Sequence, residues 1–574
     1  MKTTNKLFPF PVNRTFRRQP DRRFLWDDIK RNGIRFLALV LSCFPAVSCK
    51  HTLGPRADAK AGAYARVKDY VDSCQASQIV LSPEGEFITV FNEQVVDWVK
   101  QELNAPLLKE IRTALAPYLR IDLNERGFAP AATRANEGKK DDTNYNAIWV
   151  RDNVWVYYSF LKQPERAGDA LRLLLALWDY YATDAQIKRF SNVIADPALS
   201  LDDMAMPHIR FDGSSPDLGD VMVNGKPQIW NHRQIDAHGL FFAALGETIS
   251  EGRVTLDDLT AERFKVLSLY PLFLKRIDFS NYEDAGAWEE IPRKNTSSIG
   301  LATRSLQIWR DLIHIDRSPA LDPFRDKFQA QMQSSDAQVA EQWTRSSLEQ
   351  LINSGLKTVR HQLALGGESP DYNPEDVHFR LADIALSFII QPTPLHGLSE
   401  AERRKILLIV ETLRRPCGVL RYRHDSYQSG NYWIMAPPKK DKHVAALTGD
   451  TSSKAAFAER LSRLIPDSEA QWFFDSILAL DRLHLAKITD DPELRRQDIY
   501  FATVHLKRAL GQITGNDVTA DGTPVKACQT PESINTLIID GRKYHLPSPI
   551  VPLNWAKAGL SMALIEYQRI TSWQ

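Results

Sequence analysis

Two adjacent carboxylates, Glu289 and Glu290, directly follow Trp288 in "DAGAWEEIPRKNTSSIG", residues 284–300, just ahead of a helical pattern. A carboxyl group beside an indole is partly desolvated, which raises its pKa. A raised pKa is what a general acid needs near neutral pH. Adjacent side chains diverge, so one of the pair is expected in a pocket and the other outward or in a structural ion pair. Taken alone, the stretch also fits an ordinary acidic surface pair.

Further stretches carry a related chemistry. "YNAIWVRDNVWVYY", residues 145–158, sets Trp149, Arg151 and Asp152 at the mouth of a helix, where the dipole favours a carboxylate. "IWNHRQIDAHGLFFAAL", residues 229–245, repeats the theme with Trp230 and Asp236. Its histidines, His232 and His238, are too far apart for one helical face, which excludes a helical metal pair. "GVLRYRHDSYQSGNYW", residues 418–433, gathers Arg421, Tyr422, Arg423 and Asp425 in a loop with Tyr427 and Trp433. Guanidinium forks, carboxylates and flat rings together suit the hydroxyls and faces of a sugar.

The elements that must position these groups are almost all helical. Apolar residues recur at three- and four-residue spacing from "FNEQVVDWVKQEL" to "LNWAKAGLSMALIEYQ" and predict about a dozen helices or slightly more. Among them are "FRLADIALSFII" and the long "DAQVAEQWTRSSLEQLINSGLKTV". "QIVLSPEGEFITV", residues 78–90, reads as a short hairpin outside the helical region. No regular strand–helix alternation appears, which excludes a Rossmann or TIM architecture, and no fixed short repeat suggests a solenoid. Long polar connections span 191–233, 365–378, 414–453 and 514–552. Loops of that length that carry Trp, Arg and Asp point to function. Helices joined by long loops at alternate junctions predict an all-α barrel of an inner and an outer helical ring over residues 91–574, with a pocket at one end. Residues 51–90 are expected to form a linker and the hairpin.

Bulk composition narrows the partners. The 574 residues carry a formal net charge of +1, so no global field attracts nucleic acid or a membrane surface. Aromatic residues are 10% of the chain, including 13 Trp, which suits a site that stacks sugar rings or a large core. None of the 5 cysteines forms a Cys-x-x-Cys motif, so a zinc ribbon is not expected; Cys417 and Cys528 are open to pairing in an exported chain. A basic lead-in over 14–35 precedes the apolar "FLALVLSCFPAVS" and Cys49, the pattern of an export signal with a lipoprotein-type cysteine. Residues 1–50 are therefore expected to direct export and membrane anchoring through a lipidated Cys49; without a signal there, the chain stays cytoplasmic.

Taken in order, "IWVRDNVWVYY", "NHRQIDAHGLFFAAL", "AWEEIPRKNTSSIGLATRSLQ", "GVLRYRHDSYQSGNYW", "SEAQWFFDSILALDRL" and "PIVPLNWAKAGLSMAL" resemble family 15 glycoside hydrolases, the glucoamylases. The likeness is to the branch that includes the catalytic-like domain of phosphorylase kinase alpha and beta subunits, and it spans residues 145–570. It implies an all-α (α/α)6 barrel and an inverting, exo-acting hydrolase of α-glucan or α-glucoside ends that needs no cofactor or metal. By position it implies Glu289 as general acid and Glu290 as the neighbouring substrate-site residue. Arg151 and Asp152 match the pair that grips the terminal sugar, Trp149 a pocket aromatic, Asp236 the acid at the second helix mouth, and Arg421 the arginine of the Arg-Tyr loop. The general base is matched best by Glu532, with Glu469 the alternative. Ser533, Ile534 and Asn535 after Glu532 depart from the family's tyrosine-rich sequence. A non-catalytic sugar-binding or regulatory module, and another α/α-barrel enzyme such as a trehalase or dextran-type glucosidase, are the competing readings.

Overall fold

The computed structural model describes residues 55–73, 77–132, 144–223, 225–316, 318–434 and 453–571. The chain divides into two units between Pro55 and Arg56, and the architecture below is that of the second. The expected export segment, with Cys49, lies outside the described residues.

Inner helices Val150–Leu161, Ile235–Ser250 and Thr296–Arg310 pack side by side. The ring continues through the short 3-10 segment Ile384–Ile389, then helices Asp475–Ile488 and Asn554–Thr571, and the last packs back on the first. Outer helices alternate with them along the chain: Ala105–Leu119, Ala167–Tyr181, Ala261–Arg276, Arg345–Leu365, Glu400–Glu411 and Pro492–Gly511. This is the expected (α/α)6 barrel.

The inner elements are buried on nearly every side. In Ile235–Ser250 even Asp236 and His238 are buried, as befits a helix apolar around its circumference. Its contact with Thr296–Arg310 depends on two glycines seven residues apart on one face. A Cβ on Gly239 would stand 2.6 Å from the Ala302 backbone nitrogen, and one on Gly246 2.6 Å from Ile308 Cγ2.

Several elements differ from the sequence expectation. The hairpin forms as Gln78–Leu81 with Phe87–Val90, but helix Pro55–Asp72 occupies part of the expected linker. "DAQVAEQWTRSSLEQ…" is two helices, Ala337–Gln342 and Arg345–Leu365, because Thr344 caps the second through Ser347. "ADIALSFII" is only a 3-10 segment, capped by Asp383 and cut short by Pro392, whose ring disfavours helix in the residue before it. The 514–552 connection contains an antiparallel strand pair, Ser533–Ile539 with Arg542–Pro547. That pair joins the short strands Gln471–Trp472, Gly418–Val419 and Arg414–Arg415 in one five-stranded sheet. Asp540 and Gly541, both at positive φ, turn the hairpin.

Candidate active site

The N-terminal ends of the inner elements carry the acids. Asp152, Asp236 and Asp475 lie in first helical turns, and Asp383 caps the 3-10 segment. Helix N-termini are the favourable end for carboxylates. The loops that lead into these helices bring Glu289 and Glu532.

Glu289 takes the left-handed conformation, φ 60°, which turns its side chain away from that of Glu290. Trp149 Nε1 donates to its Oε1 at 2.9 Å, and Arg151 Nη1 lies 3.9 Å from the same oxygen. Burial pushes the Glu289 carboxyl above its ordinary pKa; Arg151, Arg210 and the Trp149 donation pull back only part of that rise. Arg210 faces Trp149 across the strand pair Ile148–Trp149 and Arg210–Phe211. Its guanidinium lies 4.7 Å from the Trp149 ring and 4.0 Å from that of Trp230. The two indoles meet edge to face at 5.9 Å, so Trp149 and Trp230 form an aromatic wall beside Glu289.

Glu532 is anchored at both oxygens. The Tyr145 hydroxyl donates to Oε1 at 2.6 Å, and Gln428 Nε2 to Oε2 at 2.7 Å. Gln428 is itself held, because Asn535 Nδ2 donates to its carbonyl at 2.9 Å and Ser533 Oγ to its Oε1 at 3.1 Å. The Tyr145 and Trp149 rings are 5.7 Å apart. Two touching aromatics, four residues apart in sequence, thus join Glu532 to Glu289.

Asp152 lies between these groups electrostatically. It is buried, and its carboxylate makes no hydrogen bond among the described residues. Burial pushes it up to about 7 against the pull of Arg151, and the charges of Glu289 and Glu532 add to the rise. A carboxylate so left is available to ligand hydroxyls. Arg151 is fixed from behind: Nε donates to Asp236 at 2.7 Å and Nη2 to Gln234 at 2.5 Å. Asp236 is fully buried and orients Arg151.

Glu290, itself buried, turns to a neighbouring cluster of arginines. Arg460 Nη2 donates to it at 2.5 Å, Arg380 Nη2 at 3.0 Å and Arg421 Nη2 at 3.4 Å, while Arg293 Nη1 is 3.9 Å away. The Tyr422 hydroxyl donates at 2.5 Å. Burial opposes ionisation there, but Arg460, Arg380, Arg421 and Arg293 outweigh it and hold Glu290 well below the usual carboxylate range. Its oxygens are therefore occupied by protein groups, where the sequence expectation had them on substrate. Arg421 forks onto Asp425 at 2.6 and 2.8 Å and lies over the Trp472 and Trp288 rings at 4.7 and 5.2 Å. Trp288 Nε1 donates to Asp383 at 2.9 Å, away from both catalytic candidates.

The remaining expected residues lie elsewhere. Glu469, buried ahead of strand Gln471–Trp472, makes no hydrogen bond or ion pair with these groups among the described residues. His238 Nδ1 is 2.7 Å from the Tyr181 hydroxyl, and burial brings its pKa down to about 3. His232 stacks on His208 at 3.6 Å. Cys417 and Cys528 are buried free thiols and do not pair. Sequence reasoning missed Tyr145, Gln428, Arg210 and Arg460 as site residues. Tyr145 had a usable signal, an aromatic four residues ahead of Trp149; Arg460, in helix Lys454–Ser462, had none.

A cavity of about 280 Å³ opens at the other end of the barrel, bounded by Tyr158, His484, Lys487 and Glu566 near the inner helices' C-termini. Its lysines are paired: Lys487 and Lys162 meet Glu566 at 2.5 and 2.9 Å. Both also suit the negative ends of the helices they terminate.

Searched against protein families, the chain matches no family model. Among curated proteins it is similar to "Uncharacterized lipoprotein YgeQ" of Escherichia coli K12, 37% identical over 163 residues, 28% of this chain. It is also similar to "Putative protein YgeP" of the same organism, 41% identical over 59 residues, 10% of this chain. The chain spans 61% and 60% of the length of these relatives. Among solved structures, it is similar to a glucoamylase from Saccharomycopsis fibuligera, 14% identical, TM-score 0.47, covering 82% of this chain and 96% of that one. It is also similar to a bacterial glucoamylase complexed with acarbose, 15% identical, TM-score 0.39, covering 78% and 53%.

Proposed function

We propose that this protein is an inverting, exo-acting glycoside hydrolase that releases glucose from α-glucan or α-glucoside ends. The observation that carries the reading is the linked pair of acids. Glu289, its pKa raised by burial, and Glu532, anchored as an acceptor by Tyr145 and Gln428, are joined through the touching rings of Tyr145 and Trp149. Asp152 feels the charge of both.

In this reading Asp152 and Arg151 hold the hydroxyls of the terminal sugar against the Trp149–Trp230 wall. Glu289 gives its proton to the glycosidic oxygen as the bond to the anomeric carbon breaks. Glu532 takes a proton from the water whose oxygen forms the new bond on the opposite face. Room for that water requires the carboxyls to stand roughly 6.5–9.5 Å apart. The oxocarbenium-like charge develops in an environment already fixed by Arg151–Asp236 and Tyr145–Glu532, so little reorganisation is needed. The N-terminal segment directs export and lipid anchoring at Cys49, a reading favoured by the lipoprotein name of the relative YgeQ.

Proton NMR of the first sugar released from maltooligosaccharides, isomaltose and trehalose tests the activity. β-Glucose as the first anomer from the maltooligosaccharides or isomaltose, or equal α- and β-glucose from trehalose, supports inversion, whereas α-glucose alone rules it out. Binding without release from any of the three substrates replaces the enzyme with a sugar-binding module. Transfer of the protein from membrane to soluble fraction on Cys49→Ser tests the anchor.

A further inference from the structure

The flank of the site next to Glu290 is built for negative charge. Arg293, Arg380, Arg421 and Arg460 converge there on Glu290, with Asp383 paired to Arg380 and Asp425 to Arg421. The nearby Glu368 is buried, accepts from Ser297 Oγ at 2.5 Å, and has its pKa raised by burial and the neighbouring Asp383. Four guanidinium groups thus share three directly paired carboxylates, Glu290, Asp383 and Asp425, an arrangement with room for an added anion. Two donors also lack acceptors: the Nε of Arg293 and the Nε of Arg460 are buried and unpartnered. Arg293 is 2% exposed, but Arg460, from helix Lys454–Ser462 outside the ring, keeps 17% of its side chain exposed.

Arg460 also reaches toward the reacting groups. Its guanidinium is 5.7 Å from the Tyr427 ring. Tyr427 hydrogen-bonds with Tyr145, the residue that holds Glu532, and the charge of Glu532 reaches it. Asp152, by contrast, is surrounded by Arg151, Glu289 and Glu532 and by none of the arginines on Glu290. The site thus has two differently charged flanks. The Asp152 flank accepts hydroxyl donors, and the Arg460 flank offers guanidinium donors.

We propose that the sugar next to the one gripped by Asp152 carries an oxyanion substituent, and that Arg460, backed by Arg293 and Arg421, receives it. A carboxylate and a phosphate share the chemistry that recognises them here, charge-assisted donation from guanidinium N–H groups that Glu290 does not already occupy, the Arg460 Nε among them. The proposal rests on the reading of the site as a glycosidase and assigns the class of its substrate.

Titration calorimetry on the full-chain Glu289→Gln protein tests it with α-glucosyl-(1→4)-glucose, its α-glucosyl-(1→4)-glucuronate counterpart and the 6-phosphate of the neutral disaccharide. At least one anionic ligand is expected to bind about tenfold tighter than the neutral one, and which of the two gains identifies the substituent. Adding Arg460→Gln is expected to remove most of that preference, and Arg460→Lys to retain part of it. Equal or tighter binding of the neutral disaccharide overturns the proposal, as does a preference that survives Arg460→Gln or a lack of binding by all three. Wild-type turnover separates the two readings. Anion preference without cleavage sinks the hydrolase alone, whereas cleavage of the neutral disaccharide without preference sinks the anionic substrate alone.

Discussion

The Tyr145 hydroxyl donates to Glu532 at 2.6 Å across 387 residues of sequence. That bond orients the proposed base and leaves its other oxygen to Gln428. A hydrogen bond to a charged group contributes about 1.5–3 kcal/mol, or roughly 10- to 100-fold in rate where it acts in the transition state. Tyr145→Phe is therefore expected to lower kcat by that range with little change in KM, read by initial rates of glucose release. An unchanged kcat would remove Tyr145 from the machinery.

Glu289 and Glu290 are expected to respond oppositely to the same substitution. Glu289→Gln removes the proton donor, and glucose release should fall by about 10²- to 10⁴-fold while the fold remains intact. Glu290→Gln leaves a crowd of arginines without their shared carboxylate. Breaking a buried ion cluster costs about 3–5 kcal/mol, so its urea midpoint should drop. A stable Glu290→Gln protein with lost activity would reverse the two assignments.

Asp152 makes stability fall as pH rises. Burial lifts it from 3.8 to about 7 in the folded protein. Between those values the folded state binds more protons than the unfolded chain, so its stability is full below pH 3.8 and is lost as pH rises through about 7. Asp284, buried and lifted to about 7 by the same cause, adds to the trend. Asp152→Asn is expected to weaken sugar binding yet flatten this loss, with a gain of up to about 4 kcal/mol above pH 7. Tm measured at pH 4 and pH 8 for both proteins checks it; parallel Tm changes would contradict it.

Asp236 supports the pocket through Arg151. Asp236→Ala strands a buried guanidinium and should cost about 3–5 kcal/mol, with sugar affinity lost alongside, whereas Asp236→Asn should retain more of both. Denaturant titration and calorimetry on the two variants distinguish a positioning role from an idle one, for which the two substitutions would behave alike.

Gly239→Ala should be destabilising by about 1–3 kcal/mol, because its Cβ would meet rigid helix backbone rather than a movable side chain. Gly168→Ala, in an outer helix with open space around it, serves as the matched control and is expected to be neutral or slightly stabilising. Equal Tm values for the two variants would show that the inner helices can separate.

What the sequence revealed follows from how each feature is encoded. Ile235–Ser250 and Asn554–Thr571 were legible because burial on all sides demands a long apolar pattern that only a helix satisfies. Trp149, Arg151, Asp152 and Glu289 were legible because they sit beside such helices in compact local motifs. The 533–547 strand pair was overlooked although Asp540–Gly541, between apolar runs, is a strong hairpin signal; the surrounding helical pattern had assigned the segment to loop. The occupation of Glu290 by Arg460 was not legible. It depends on where helix Lys454–Ser462 docks, and neither spacing nor periodicity encodes that. Ile384–Ile389 misled because an apolar run alone does not separate an α-helix from a 3-10 turn.

The helix Asn554–Thr571 closes the ring by packing on both Asp475–Ile488 and Val150–Leu161, and its first residue is bound by the Asn554 amide to the Ala131 carbonyl at 2.9 Å. During synthesis, the donor side of the reaction, with Arg151, Asp236 and Glu289, emerges from the ribosome hundreds of residues before the acceptor side. A polypeptide in which this helix has not docked would hold only one half of the proposed catalyst, so in that reading cleavage waits for the ring to close.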